Sequence, residues 1–182
     1  MHLIVGLGNP SLKYQNNRHN VGSMFIDYLI NKLTNSRVNE LKNNKKFNSQ
    51  FVNALINNKK LILVKPQTFM NLSGQAVKQI IRNLKLKIKN LIVVHDDLDI
   101  PLGKFRIDIG RGPKLHNGIA SIEQNLKTKE FLRVRVGVDN RQLTGPVDGE
   151  IYVLQNFRPE EKEIVYQTFP KIFLQLENLI IL

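Results

Sequence analysis

Cysteine is absent from this 182-residue chain, and so is tryptophan. Without thiols there is no disulfide, no thiolate nucleophile and no cysteine-bound zinc, a composition that fits a reducing compartment. No Gly-x-Ser-x-Gly stretch occurs, which removes the commonest signature of a serine nucleophile. No apolar run approaches the roughly 20 residues of a membrane span, and the opening Met1–Pro10 has no charged leader, breaking at Gly6 and Pro10. The expectation is one cytoplasmic domain over residues 1–182, with no membrane partner. Acid is scarce as well: 15 Asp and Glu stand against 27 Lys and Arg, a net charge of +12. That balance favours a polyanionic partner, nucleic acid above all. Abundant Lys, Asn and Ile also fit drift in an AT-rich coding sequence, so charge alone leaves the partner open. The cations fall into three groups that could follow one phosphate backbone: Lys78, Arg82, Lys85, Lys87 and Lys89; Lys104, Arg106, Arg111 and Lys114; Arg133 with Arg135.

What is present alternates. Leu3–Leu7 reads as a buried strand closed by the turn Gly8-Asn9-Pro10. Val21, Met24, Phe25, Tyr28, Leu29 and Leu33 recur at helical spacing, as do Leu72, Ala76, Val77, Ile80, Ile81 and Leu84. Phe51–Leu55 and Leu61–Val64 form a hairpin pattern through Asn57-Asn58-Lys59, with Pro66 as a stop. Leu91–Val94 is the plainest buried strand; Lys104–Ile109 and Arg133–Val138 are further strands around a helix at Asn117–Leu126. A last helix starts at Pro159-Glu160-Glu161, and Pro170 within it predicts a kink or split. Asn35–Asn48 is the expected mobile loop. Strands and helices in alternation, with one hairpin, predict an α/β fold with a mixed sheet.

Four histidines are available, and His19 in Tyr14-Gln-Asn-Asn-Arg18-His19-Asn20-Val21-Gly22 lies where a strand-like opening meets a helix. With no covalent nucleophile in view, a histidine acting on water is the economical proposal. Such a base needs a carboxylate to fix its tautomer and stabilise the imidazolium, and Asp96 at a strand end is the first choice. Strand alternation points Asp97 the other way. Sequence distance leaves the His19–Asp96 pairing open. The cluster His95-Asp96-Asp97-Leu98-Asp99 has oxygen ligands suited to magnesium, but nothing in the chain completes a coordination shell, so no metal is expected. Asn9, Asn71 and Asn117 occupy turn or helix-start positions; an amide there can orient water or substrate, or simply cap a turn. Ser73, in a first helical turn, reads as a cap. Gly6-x-Gly8 lacks the third glycine of a dinucleotide loop, since position 11 is Ser11, which sets aside a nucleotide-binding Rossmann reading.

Together, Gly6-Leu7-Gly8-Asn9-Pro10, Tyr14-x-x-x-Arg18-His19-Asn20-x-Gly22, Lys65-Pro66-x-Thr68-Phe69-Met70-Asn71-Leu72-Ser73-Gly74, His95-Asp96-Asp97-Leu98-Asp99-x-Pro101 and His116-Asn117-Gly118 resemble bacterial peptidyl-tRNA hydrolase. The likeness implies a monomeric three-layer α/β/α fold around a mixed twisted sheet, without cofactor, that cleaves the ester joining a peptide to the 3′ end of tRNA. By the same likeness His19 corresponds to the base, Asp96 to its carboxylate, and Asn9 to the residue that separates peptidyl-tRNA from unblocked aminoacyl-tRNA. Tyr14, Phe69, Asn71, Asn117 and Met70 correspond to positions around the tRNA 3′ end and peptide; Arg106 and Arg135 correspond to basic positions near the acceptor stem. The chain departs from the family at Ser11 and Asn17, and in Gly110-Arg111-Gly112-Pro113-Lys114-Leu115, where Gly, Ser and Ala are usual. That loop gives some force to an alternative, a non-catalytic RNA-binding or splicing-assistance module on the same fold.

Overall fold

The structure, a computed structural model, describes residues 1–33, 41–145 and 147–181. In chain order the elements are β1 (His2–Gly6), α1 (Val21–Leu33), β2 (Lys42–Asn44), β3 (Ser49–Ile56), β4 (Lys59–Pro66), α2 (Ser73–Leu84), β5 (Leu91–Pro101), β6 (Phe105–Ile109), α3 (Asn117–Leu126), β7 (Leu132–Asp139), α4 (Arg141–Thr144), α5 (Gly149–Val153) and α6 (Pro159–Ile181). The seven strands lie in the order β2-β3-β4-β1-β5-β7-β6. β1 runs parallel to β4 and β5, and β5 parallel to β7, while the β2/β3, β3/β4 and β6/β7 pairs are antiparallel.

Strand alternation divides the core into two layers of apolar contact. Ile4, Ile92, Val94, Val134 and Val136 face α1 and α6, meeting Phe25, Leu29, Phe169 and Ile172. Leu3, Val5, Leu91 and Val93 face α2 and α3, meeting Val77, Ile80, Ile119 and Ile122. The central strands, covered on both faces, are therefore almost continuously apolar. The hairpin turns on Asn57 and Asn58, both with positive φ (46° and 63°), the geometry of a two-residue primed turn that asparagine tolerates.

One expectation is corrected, and of a second, the kink or split at Pro170, only the split is. Of the expected mobile loop, residues 35–40 lie outside the described residues, but Lys42–Asn44 is an edge strand and Lys45–Phe47 a 3-10 turn. Asn44 Oδ1 accepts from Phe47 N at 3.1 Å, and the buried Phe47 ring packs beside Phe51, so one aromatic anchor orders an otherwise polar run. At Pro170 the helix does not split: α6 is helical from Pro159 to Ile181. A proline there costs about 3 kcal/mol, but Val165, Phe169, Ile172 and Leu176 are fully buried, each contributing about 1.5–3 kcal/mol, and Pro170 lies on the exposed face.

Candidate active site

The site lies where the carboxyl end of β1 and the middle of the longer β5 meet the first turn of α1. Close approach of helix to sheet sets the geometry. A Cβ on Gly22 would lie 2.2 Å from the carbonyl oxygen of Val94 and 2.5 Å from the nitrogen of Leu7, so only glycine lets α1 rest directly on these strands. The 3-10 turn Arg18–Asn20 just before it then delivers His19 over Asp96, which is the sixth of the eleven residues of β5 rather than at a strand end as the sequence suggested, the regular pairing with β7 breaking just after Asp97.

His19 Nδ1 is 2.9 Å from Asp96 Oδ1 and 3.0 Å from Oδ2, a pair separated by 77 residues. Since a carboxylate only accepts, Nδ1 carries the proton and donates. Nε2 is therefore the free base position, and it makes no hydrogen bond among the described residues. Burial alone would lower the His19 pKa; the Asp96 charge and hydrogen bond outweigh it, and the net shift is upward from 6.5. Asp96 is itself 2% exposed; burial opposes its charge, but the charges and hydrogen bonds of His19 and His116 hold it far below the usual carboxylate range.

Sequence reasoning left His116 without a role. Its Nε2 donates to Asp96 Oδ1 at 3.0 Å, and its Nδ1 accepts from Gly118 N (3.0 Å) and Ile119 N (3.3 Å), capping α3. Two backbone N–H groups aimed at Nδ1 leave it bare and put the proton on Nε2. Asp96 thus receives two imidazole N–H donors, with ring centroids 4.7 Å apart. One ring nitrogen each of His19 and His116 and an Asp96 oxygen lie within 4.8 Å of one another, a spacing a cation could use. His116 could coordinate there only by giving up its cap on α3, so the arrangement suits proton chemistry. The one signal in the sequence was a histidine directly before Asn-Gly at a helix start.

The cluster weighed for magnesium diverges. Asp97 turns away from Asp96, as alternation predicts, and accepts from Arg135 Nε at 2.7 Å; Asp99 Oδ2 accepts from Lys114 N at 3.0 Å. His95 is fully buried, donating from Nδ1 to the Asp96 carbonyl at 2.6 Å with its ring edge-on to His116; burial, then His116, push its pKa well down.

Asn9 is held from two sides. Asn20 accepts from Asn9 N and donates to Asn9 O, both at 2.9 Å, and Asn9 Oδ1 accepts from Met70 N at 2.9 Å. The amide oxygen is taken, so its NH2 is the end left to present. Through this bond the turn Met70–Leu72 joins the site, with Met70 buried and Asn71 exposed beside it. Asn117 is exposed one residue after His116, Phe69 is 55% exposed, and Tyr14 is half-buried in the β1–α1 connection. Ser11 has φ 94°, a glycine-favouring conformation, partly offset by its Oγ accepting from Lys13 N.

Arg106 and Arg135 are register partners on β6 and β7. Arg106 is exposed; Arg135 is 8% exposed and its guanidinium engages both Asp97 and Asp108, at 2.7 and 3.0 Å. A Cβ on Gly112, which has φ 54°, would meet that guanidinium at 2.3 Å, so the altered loop packs tightly over Arg135.

A family model described as peptidyl-tRNA hydrolase matches residues 3–181. The chain belongs to that family. A peptidyl-tRNA hydrolase of Bartonella henselae is 45% identical over 167 residues, 92% of this chain and 74% of the relative. One of Alkaliphilus oremlandii is 41% identical over 180 residues, covering 99% and 93%. Among solved structures, the peptidyl-tRNA hydrolase of Acinetobacter baumannii aligns with TM-score 0.83 at 30% identity, over 93% of this chain and 83% of that one. A peptidyl-tRNA hydrolase in complex with N-propanol aligns with TM-score 0.85 at 28% identity, covering 99% and 88%. The three-layer mixed sheet of this chain is thus that of the peptidyl-tRNA hydrolase family.

Proposed function

We propose that this chain hydrolyses the ester between a peptide and the 3′ end of tRNA, with His19 Nε2 as general base. Nε2 takes a proton from water as the water attacks the ester carbonyl; the tetrahedral intermediate collapses, and the imidazolium returns the proton to the departing ribose 3′ oxygen. Asp96 stabilises that imidazolium and, with His116 steadying its other side, keeps the ring in the tautomer that leaves Nε2 bare. The observation that carries this reading is the Nδ1–Asp96 bond at 2.9 Å, which fixes the base's free end. Asn71 and Asn117 supply uncharged amides for water and peptide backbone, Phe69, Met70 and Tyr14 supply the wall for the terminal nucleotide, and Arg106 and Arg135 lie on the RNA side. Every group comes from one chain, and the reading is of a monomer acting in the cytoplasm, where its substrate is made. No helix among the described residues is long and apolar enough to cross a membrane.

The pH profile of kcat/KM on N-blocked aminoacyl-tRNA tests the base. Because His19 acts only when neutral and its pKa is raised, the acid limb should follow one group titrating above 6.5. A limb at or below 6.5 argues against it. Asn9 accounts for selectivity: its NH2 can donate to the acyl carbonyl of a blocked substrate, whereas a free α-ammonium is itself a donor and a cation. Asn9→Ala should narrow the preference for blocked over free-amine substrate by about tenfold, the worth of one hydrogen bond. An unchanged preference removes Asn9 from the role.

A further inference from the structure

One buried histidine takes no part in the proton chemistry at His19 Nε2. Alternation puts His95 on the α3 face of β5, in line with Leu91 and Val93, both in the apolar layer beneath α2 and α3. An aliphatic side chain would suit that row. His95 is fully buried there, and its Nε2 meets no hydrogen-bond partner among the described residues. Burial first, then charge at His116 and Arg133, press its pKa well down against the pull of Asp96, so the ring stays neutral. A polar group with an unpartnered nitrogen weakens a core, and such departures from ordinary packing gather at functional sites.

The backbone shows what the ring is for. β1 ends at Gly6, opposite Val94, and Leu7 N donates to the Val94 carbonyl at 2.9 Å. Carbonyls along a strand point alternately to either side, so the next one on the β1 edge belongs to Asp96, and β1 has ended before it. The donor that carbonyl meets is His95 Nδ1, at 2.6 Å. A carbonyl only accepts, so Nδ1 carries the proton. On the other edge of β5, regular pairing with β7 runs to Asp97 opposite Gly137 and then shifts. Asp96 therefore stands one residue before the ladder breaks on one side and past its end on the other.

The carboxylate of the same residue has to meet two donors at once, His19 Nδ1 at 2.9 Å and His116 Nε2 at 3.0 Å. A turn of the peptide unit after Asp96 would move its Cα and carry the carboxylate off both. We infer that His95 is a positioning residue of this site: its Nδ1–H fastens the main-chain carbonyl of Asp96 beyond the end of β1 and so keeps the Asp96 carboxylate against His19. The inference rests on the proposed hydrolase reading and adds the residue that keeps the pair assembled.

Two substitutions separate the hydrogen bond from the packing. His95→Leu fills the row with an aliphatic side chain and removes the donor; His95→Asn fills it less well but puts an amide NH2 near the place of Nδ1. The expected result is a reversal of order. By urea midpoint the Asn variant is the weaker of the two, yet it keeps kcat on N-blocked aminoacyl-tRNA close to wild type, whereas the Leu variant loses about tenfold or more in kcat with KM unchanged. In the Leu variant the titration of His19, followed by NMR, should move to lower pH: burial lowers that pKa and Asp96 raises it, so a displaced carboxylate leaves burial to prevail. In the Asn variant it should stay where it is in wild type. Activity that follows stability across the two variants overturns the inference, and so does an unmoved His19 titration in the Leu variant. The ring-nitrogen NMR signals of wild-type His95 give a check that needs neither variant: a proton on Nε2 instead of Nδ1 overturns it. These spectra need no substrate, so a failure of the hydrolase reading shows separately, as a wild-type protein that cleaves no ester.

Discussion

Removing the His19 imidazole, in His19→Ala, is expected to lower kcat on N-blocked aminoacyl-tRNA by about 10²–10⁴-fold with KM within a small factor of wild type. Asp96→Asn should come close to the same loss without removing the base. The carboxylate accepts from His19 Nδ1 and His116 Nε2 together, and an amide cannot accept from both through two equivalent oxygens. Its NH2 would face a ring nitrogen and drive His19 to the tautomer with the proton on Nε2, which cannot take one from water. What activity survives should show its acid limb at lower pH, because burial, no longer countered by the carboxylate, lowers the His19 pKa. The double variant should be barely worse than either single one, as groups acting as a unit are not additive. Steady-state kinetics across pH decide the matter, and near-normal kcat in Asp96→Asn would sink this account of the pair.

The largest effect on stability is expected one residue earlier. Arg18 is 2% exposed and Glu161 1%, and Arg18 Nη2 donates to Glu161 Oε2 at 2.5 Å. The guanidinium also donates to the carbonyls of Gln155 and Asn156 and lies over the Tyr152 ring at 4.0 Å. Glu161 accepts in addition from Asn140 Nδ2 and Arg158 N. Arg18→Met keeps most of the side-chain volume but strands a carboxylate in the interior, at a cost of about 3–5 kcal/mol. Urea unfolding would show this as a lower midpoint at nearly constant slope. Arg18→Met with Glu161→Leu should recover much of the loss, since the stranded charge is then gone. A single variant within about 1 kcal/mol of wild type, by the same linear extrapolation, would show that the pair is not the clamp described here.

How much of this was legible beforehand follows the range of the forces involved. Periodicity is local, so β1, α1, the hairpin, α2 and the strand into His95-Asp96 were readable from residues a few positions apart. Alternation also placed Asp96 and Asp97 on opposite sides. Contacts between distant segments were not readable from local pattern: His19 with Asp96 had a chemical argument and the family resemblance, and Arg18 with Glu161, 143 residues apart, had none. His116 escaped because its two tasks, capping α3 and donating to Asp96, become visible only when helix and strand are set side by side. The loop expected around Phe47 and the split expected as one outcome at Pro170 failed for a shared reason. Composition argued for a loop and a break, and packing of buried rings and aliphatic side chains outweighed both.

The ring that braces Asp96 is also the residue that closes the first turn of α3. Helix ends ordinarily fray at little consequence to the rest of a molecule; here fraying would take one of two donors from the carboxylate and loosen the tautomer it enforces. Were that turn to open before the sheet melts, activity would be lost on heating ahead of the global transition, so the temperature of inactivation and that of unfolding would separate.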